Sequence, residues 1–68
     1  MTVWRYYLPN RPPVPGAVPK DGLVNVHDGN IMWGTFDFYG YVEYNRKLTK
    51  QEVDDYELVE GGEHNYEV

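Results

Sequence analysis

Cysteine and serine are both missing from this 68-residue chain, and Gln51 to Val68 holds no lysine or arginine. Without cysteine there is no disulfide framework, no thiol nucleophile and no thiolate metal site, and a small secreted domain more often has such bridges. Without serine, and with only Thr2, Thr35 and Thr49 as other hydroxyl candidates beside His27 and His64, no nucleophile–base–orienter set assembles. Adjacent acids such as Asp54 and Asp55 point apart on a helix and do not make a general acid–base pair. The chain therefore reads as a non-enzyme that needs no cofactor. No window approaches the ~20 apolar residues of a membrane span, and Arg5 interrupts the opening segment, so the expected setting is soluble and cytoplasmic.

What is present is a strong charge division. Met1 to Lys50 carries six bases against four acids, whereas the last eighteen residues carry Glu52, Asp54, Asp55, Glu57, Glu60, Glu63 and Glu67. The net charge of −5 is the sum of these unequal parts. A segment of one sign repels phosphate and attracts cationic clefts or basic proteins. Part of it has a local explanation, because Glu52, Asp54 and Asp55 fall early in a helix, where the macrodipole stabilises carboxylates by roughly 0.3 to 1 kcal/mol each. Glu57, Glu60, Glu63 and Glu67 lie beyond that help.

Eleven aromatic residues, seven of them tyrosine, weigh against disorder despite the acidity. A chain this short buries only about 60% of the surface its unfolded form exposes, so support from a partner or a second copy is expected. The division expected is one domain over residues 1–60, including a proline-rich segment at 9–19, and a flexible acidic tail at 61–68.

Thr2 to Leu8 reads as a strand, with Trp4, Tyr6 and Leu8 on one side and Val3, Arg5 and Tyr7 on the other. Pro9 to Pro19 contains all five prolines, and since each removes a backbone donor, no sheet interior runs through it. It is expected to wrap an edge of the sheet in an extended form, using Val14, Ala17 and Val18. Leu23 to His27 reads as a second strand and Asp28-Gly29-Asn30 as its hairpin turn. Ile31 to Tyr44 alternates but is too long for one ordinary strand; a turn near Asp37 to Gly40 is preferred, with a bulge at a glycine as the alternative. Thr49 and Glu52 form a capping box, with Leu48 and Val53 as its staple, so a helix starts at Lys50. It should stop around Tyr56 or Glu57, because a helix continued to Leu58 would expose that side chain. The expected fold is α+β: a small antiparallel sheet of three or four strands, one short C-terminal helix and a Pro-rich edge segment. The expected core is Trp4, Tyr6, Leu8, Val24, Val26, Trp33, Phe36, Phe38, Val42, Leu48, Val53, Tyr56 and Leu58.

Several chemical readings fail on the residues. His27-Asp28 and Glu63-His64 offer oxygen and nitrogen donors, but their spacing matches no ligand pattern, so no metal is expected. Arg46, Lys47 and Lys50 make a basic spot too close to the acidic segment to hold a phosphate backbone, which argues against direct nucleic-acid binding. Pro12 and Pro15 have PxxP spacing, but Arg11 is not where either docking orientation wants it.

Arg11-Pro12-Pro13-Val14-Pro15-Gly16-Ala17-Val18-Pro19-Lys20 and Tyr44 to Leu58 resemble segments of small acidic proteins carried by bacterial phages and mobile elements. The type includes inhibitors of host defence such as anti-CRISPR proteins, some of which imitate DNA. The resemblance implies a protein-binding inhibitor whose acidic surface occupies a cationic nucleic-acid-binding groove. The contact residues expected are Glu52, Asp54, Asp55, Glu57 and Glu60, with Tyr39 and Tyr41 as aromatic anchors. The competing reading is a self-associating module that pairs through a sheet edge or an aromatic face.

Overall fold

Strands β1 (Thr2–Tyr7), β2 (Leu23–Trp33), β3 (Phe36–Tyr44) and β4 (Val59–Asn65) form one sheet in the order β2-β3-β1-β4. The computed structural model describes residues 1–14 and 16–66, with the side chain of Trp33 excepted. Every neighbouring pair is antiparallel, so β3 and β4, which flank β1, run parallel to each other. A hairpin cannot join parallel strands. The chain from β3 to β4 must cross over β1, and it does so with helix α1 (Lys50–Asp55).

That crossover makes the core. Tyr6 and Leu8 from β1 and its extension meet Val42 and Tyr44 from β3, and Leu48, Leu58 and Val18 close over them. Trp4, Leu23, Val53 and Tyr56 pack around this cluster. Alternation places Trp4 and Tyr6 opposite Tyr44 and Val42 on the covered face, and Arg5 and Tyr7 opposite Glu43 and Tyr41 on the other. Two buried phenols are satisfied as they enter: Tyr44 Oη donates to the Pro19 carbonyl at 2.6 Å, and Tyr6 Oη accepts from the Leu48 amide at 2.9 Å.

The helix signals act as read. Glu52 N–H donates to Thr49 Oγ1 at 3.1 Å, and Thr49 N–H donates to a Glu52 carboxylate oxygen at 3.0 Å. At the other end, Leu58 N–H reaches the Val53 carbonyl and Glu57 N–H the Asp54 carbonyl, with Glu57 left-handed at φ +55°. This is a Schellman closure, in which glycine usually holds the left-handed position. It turns Leu58 out of the helix and into the core, beside Val53.

The two turn positions expected in the middle of the chain are both corrected. Asp28-Gly29-Asn30 is not a hairpin loop but lies inside β2, where the register against β3 shifts between Asp28 and Ile31. The reversal comes at Gly34-Thr35, between paired Trp33 and Phe36, with Gly34 at φ +65° as the first residue of a two-residue loop requires. The Asp37–Gly40 stretch is strand as well. Leu8 accepts from the Tyr39 amide and donates to the Gly40 carbonyl, so two residues of β3 face one and a bulge results. Phe38 then joins Tyr7 on the face away from the core. Gly40 is needed here, since a Cβ would collide with the His27 carbonyl oxygen.

The expected flexible tail from Gly61 is corrected too: residues 59–65 pair with β1, and the Tyr66 amide donates to Met1 O at 2.8 Å. Glu67 and Val68 lie outside the described residues. In the core list, Val24, Val26 and Phe36 are exposed, while Val3, Tyr7 and Tyr44, which it omits, are buried. Val24 and Val26 sit on β2, an edge strand of the sheet. In the proline-rich segment, Ala17 and Val18 are buried but Val14 is exposed, and Pro15 of the PxxP spacing lies outside the described residues.

Candidate functional site

Seven residues are candidates from sequence, and the fold distributes them over three places. Glu52 is partly exposed in the first turn of α1. Arg46, just past the end of β3, donates through Nη1 and Nη2 to its two carboxylate oxygens at 2.9 and 2.8 Å, and through Nε to the Asp21 carbonyl at 2.9 Å. Hydrogen bonds from Arg46, with the Thr49 backbone, hold the Glu52 carboxyl down at about 2. Glu52 is thus engaged within the molecule by Arg46 and by the cap of α1.

Asp54 and Asp55 are exposed on α1, and Glu60 is exposed on β4; none makes an ion pair among the described residues. Glu63 on β4 is in the same condition. Glu57 contacts Arg11 at 3.4 Å and accepts from Asn10 Nδ2 at 3.1 Å, both at the surface. The acidic surface is interleaved with bases: Lys47 shares one recess with Glu60, Glu63, Trp4 and Tyr6, and Lys47 and Lys50 share another with Asp54 and Glu60. Asp54, Glu60 and Glu63 thus line recesses that Lys47, Lys50 and Arg5 also line, while Asp55 lines neither.

Tyr39 and Tyr41 do not join the acids. Tyr39 is exposed at the β3 bulge, near Pro9 and Asn30. Tyr41 lies on the face away from the core, sandwiched between His27, stacked on it at 4.9 Å, and the Arg5 guanidinium, 4.2 Å from its ring centre. With both ring faces occupied, Tyr41 is a poor platform for a base or another ring. His27 and His64 stand on opposite edge strands, and no group of three metal-ligating side chains forms among the described residues.

The same face holds a network that sequence reasoning misses. Glu43 is only 2% exposed and accepts from Arg5 Nε at 2.9 Å, Tyr66 Oη at 2.6 Å and Asn25 Nδ2 at 3.1 Å. Arg5 also donates to Tyr66 Oη at 2.8 Å. Burial pushes the Glu43 carboxyl up, but the hydrogen bonds from Tyr66, Arg5 and Asn25 outweigh it and leave the group below its ordinary value. The signal was opposite charge on two strands, which becomes a pair only once the register sets Arg5 across from Glu43.

The architecture is that of a mostly β, α+β domain whose sheet is covered on one face and whose helix and last strand present unpaired acid. A family model, defence against restriction A C-terminal, matches residues 1–63, and the chain belongs to that family. It is a phage or mobile-element domain of the antirestriction type. The phage or mobile-element type implied by the sequence resemblance stands at this level, and the defence that the family's name specifies is restriction. Neither the curated proteins nor the solved structures returned a match.

Proposed function

We propose that the domain is a non-enzymatic inhibitor that binds a host restriction protein in the cytoplasm and presents acid to a cationic surface that otherwise holds DNA. The observation that carries this is the set of unpaired carboxylates, Asp54 and Asp55 on α1 with Glu60 and Glu63 on β4, in a chain of the antirestriction family. Duplex DNA carries one charge per ~1.7 Å of axis, so a protein surface built for that field also attracts closely set carboxylates. Glu57 adds to them at modest cost, because its exposed pair with Arg11 is weak. Glu52 is not part of the contact.

The test is protection. Unmodified phage is plated on a restricting host with and without the expressed chain, and on an isogenic non-restricting host. Protection should appear only in the restricting host and should be lost in Asp54→Lys with Asp55→Lys, whose far-ultraviolet spectrum stays that of the wild type. Retained protection in the charge-reversed variant would show that the anionic mechanism is wrong.

One observation favours a second reading. β2 is an open edge strand with Val24 and Val26 exposed, and such edges pair with another chain. A salt-insensitive dimer at micromolar concentration in sedimentation would support self-association.

A further inference from the structure

The turn of the β2–β3 hairpin, Ile31 to Phe36, contains no charged residue, and it leaves Met32 77% and Phe36 67% exposed. These two side chains point to opposite faces. Phe36 stacks on Phe38 at 6.2 Å, and Phe38 on Tyr7 at 5.0 Å, so its ring is backed by the sheet; Met32 pairs across the ladder with Asp37. An apolar tip held on a bulged, paired hairpin is a preorganised element, and anchors of this kind dominate protein interfaces when a pocket receives them.

The charge beside the tip is of one sign. Asp37 pairs with Met32 and Asp28 lies at the register shift before Ile31, neither makes an ion pair among the described residues, and residues 21–45 hold no lysine or arginine; Asp21 and Glu43, at the far end of the hairpin, are engaged by Arg46 and Arg5. That pattern selects the occupant. An anionic bilayer would repel these carboxylates, and membrane-seeking segments carry the opposite charge at their polar edge. A second copy of a chain of net charge −5 would bring the same two acids against each other. An apolar cleft with lysine or arginine at its rim satisfies both the tip and its collar.

We propose that the β2–β3 hairpin inserts into an apolar, basic-rimmed cleft of the restriction protein, with Met32 and Phe36 in the cleft and Asp28 and Asp37 at its rim. This rests on the inhibitory reading above and adds a second contact away from the acidic helix.

Two experiments test it. In the first, p-benzoylphenylalanine replaces Phe36 in the full chain expressed in a restricting host, and the cells are illuminated. A covalent adduct with an identified restriction subunit is expected; an adduct with lipid, an adduct with a second copy, or none overturns the proposal. In the second, Met32→Asp with Phe36→Asp should lower phage protection at least tenfold while the thermal midpoint stays near wild type, since both side chains are exposed. Asp28→Lys with Asp37→Lys leaves the apolar tip intact and should lower protection as well. Full protection in both variants, with loss in Asp54→Lys/Asp55→Lys, overturns the insertion and leaves the acidic contact standing. A wild-type chain that gives no protection removes the inhibitory reading, and the cross-link then decides separately whether the tip touches a restriction subunit.

Discussion

Arg46 holds both carboxylate oxygens of Glu52 while its Nε reaches the Asp21 carbonyl, so one guanidinium ties the loop before β2 to the first turn of α1. The bidentate geometry suits arginine and would not survive replacement by lysine. It also withdraws from the acidic surface the residue that the capping box makes most conspicuous in sequence.

Acid should loosen this junction. The Glu52 carboxyl sits at about 2 in the folded protein, against an ordinary value of 4.5. A depressed carboxyl contributes stability that is fully present above its unfolded pKa and is lost as pH falls, here between about 4.5 and about 2. Glu43, also depressed, acts in the same direction. Urea midpoints followed against pH should fall through this window, and Glu52→Gln should flatten the fall without abolishing it.

Thr49→Ala removes the other half of the cap. Stability should drop by about 1 kcal/mol, a typical loss for a threonine N-cap, and chemical denaturation measures it. The helix and the crossover that covers the core depend on the same turn, so near-ultraviolet ellipticity of the buried tyrosines should change with it.

Glu43→Ala removes the carboxylate partner of the Arg5 guanidinium, which is only 19% exposed. Breaking one side of a buried ion pair costs about 3 kcal/mol. The double variant Arg5→Leu with Glu43→Leu should recover most of that loss, because the remaining cost in the single variant is an unpaired charge. Urea unfolding of the single and double variants checks this, and equal destabilisation of both would contradict it.

Glu57 holds a left-handed conformation at φ +55° that glycine adopts without steric cost. Glu57→Gly should therefore raise stability by about 0.5 kcal/mol, after allowing for the greater freedom glycine gives the unfolded chain. Its weak surface contact with Arg11 takes little away. A higher melting temperature is the expected observation.

Alkali should act through the buried phenols. Burial raises the Tyr44 hydroxyl well above its ordinary value of 10.0, and Tyr6 shifts the same way. The stability they contribute is complete below the unfolded pKa near 10 and is lost as pH rises above it, since only the unfolded chain ionises freely. Tyr44→Phe should soften the alkaline fall while costing about 1 kcal/mol at neutral pH for the lost bond to Pro19. Denaturation at pH 7 and pH 11 separates the two effects.

Much of the local structure was legible. The cap at Thr49 and Glu52, the end of α1 near Tyr56 and the inward side of β1 follow from hydrogen-bonding chemistry and periodicity over a few residues. The central hairpin was misread because Asp-Gly-Asn suits a bulge as well as a turn, whereas Gly34-Thr35 is a weaker turn signal that prevails once pairing on both sides is counted. The tail was misread for a related reason: a sequence with two glycines and many acids has little strand preference of its own, and β4 exists because β1 offers it an edge.

For the site, the presence of acid was readable and its employment was not. Sequence alone determined that the chain is negative toward one end, aromatic, free of thiol chemistry and equipped with a capped short helix, because those properties depend on residue identity and near neighbours. Tertiary structure alone decided that Glu52 and Glu43 are engaged within the molecule, that Tyr41 is sandwiched, and that Met32 and Phe36 stand clear of the core. Each of those outcomes is a distance between residues far apart in the chain, and only the register of the strands and the crossover of α1 sets it.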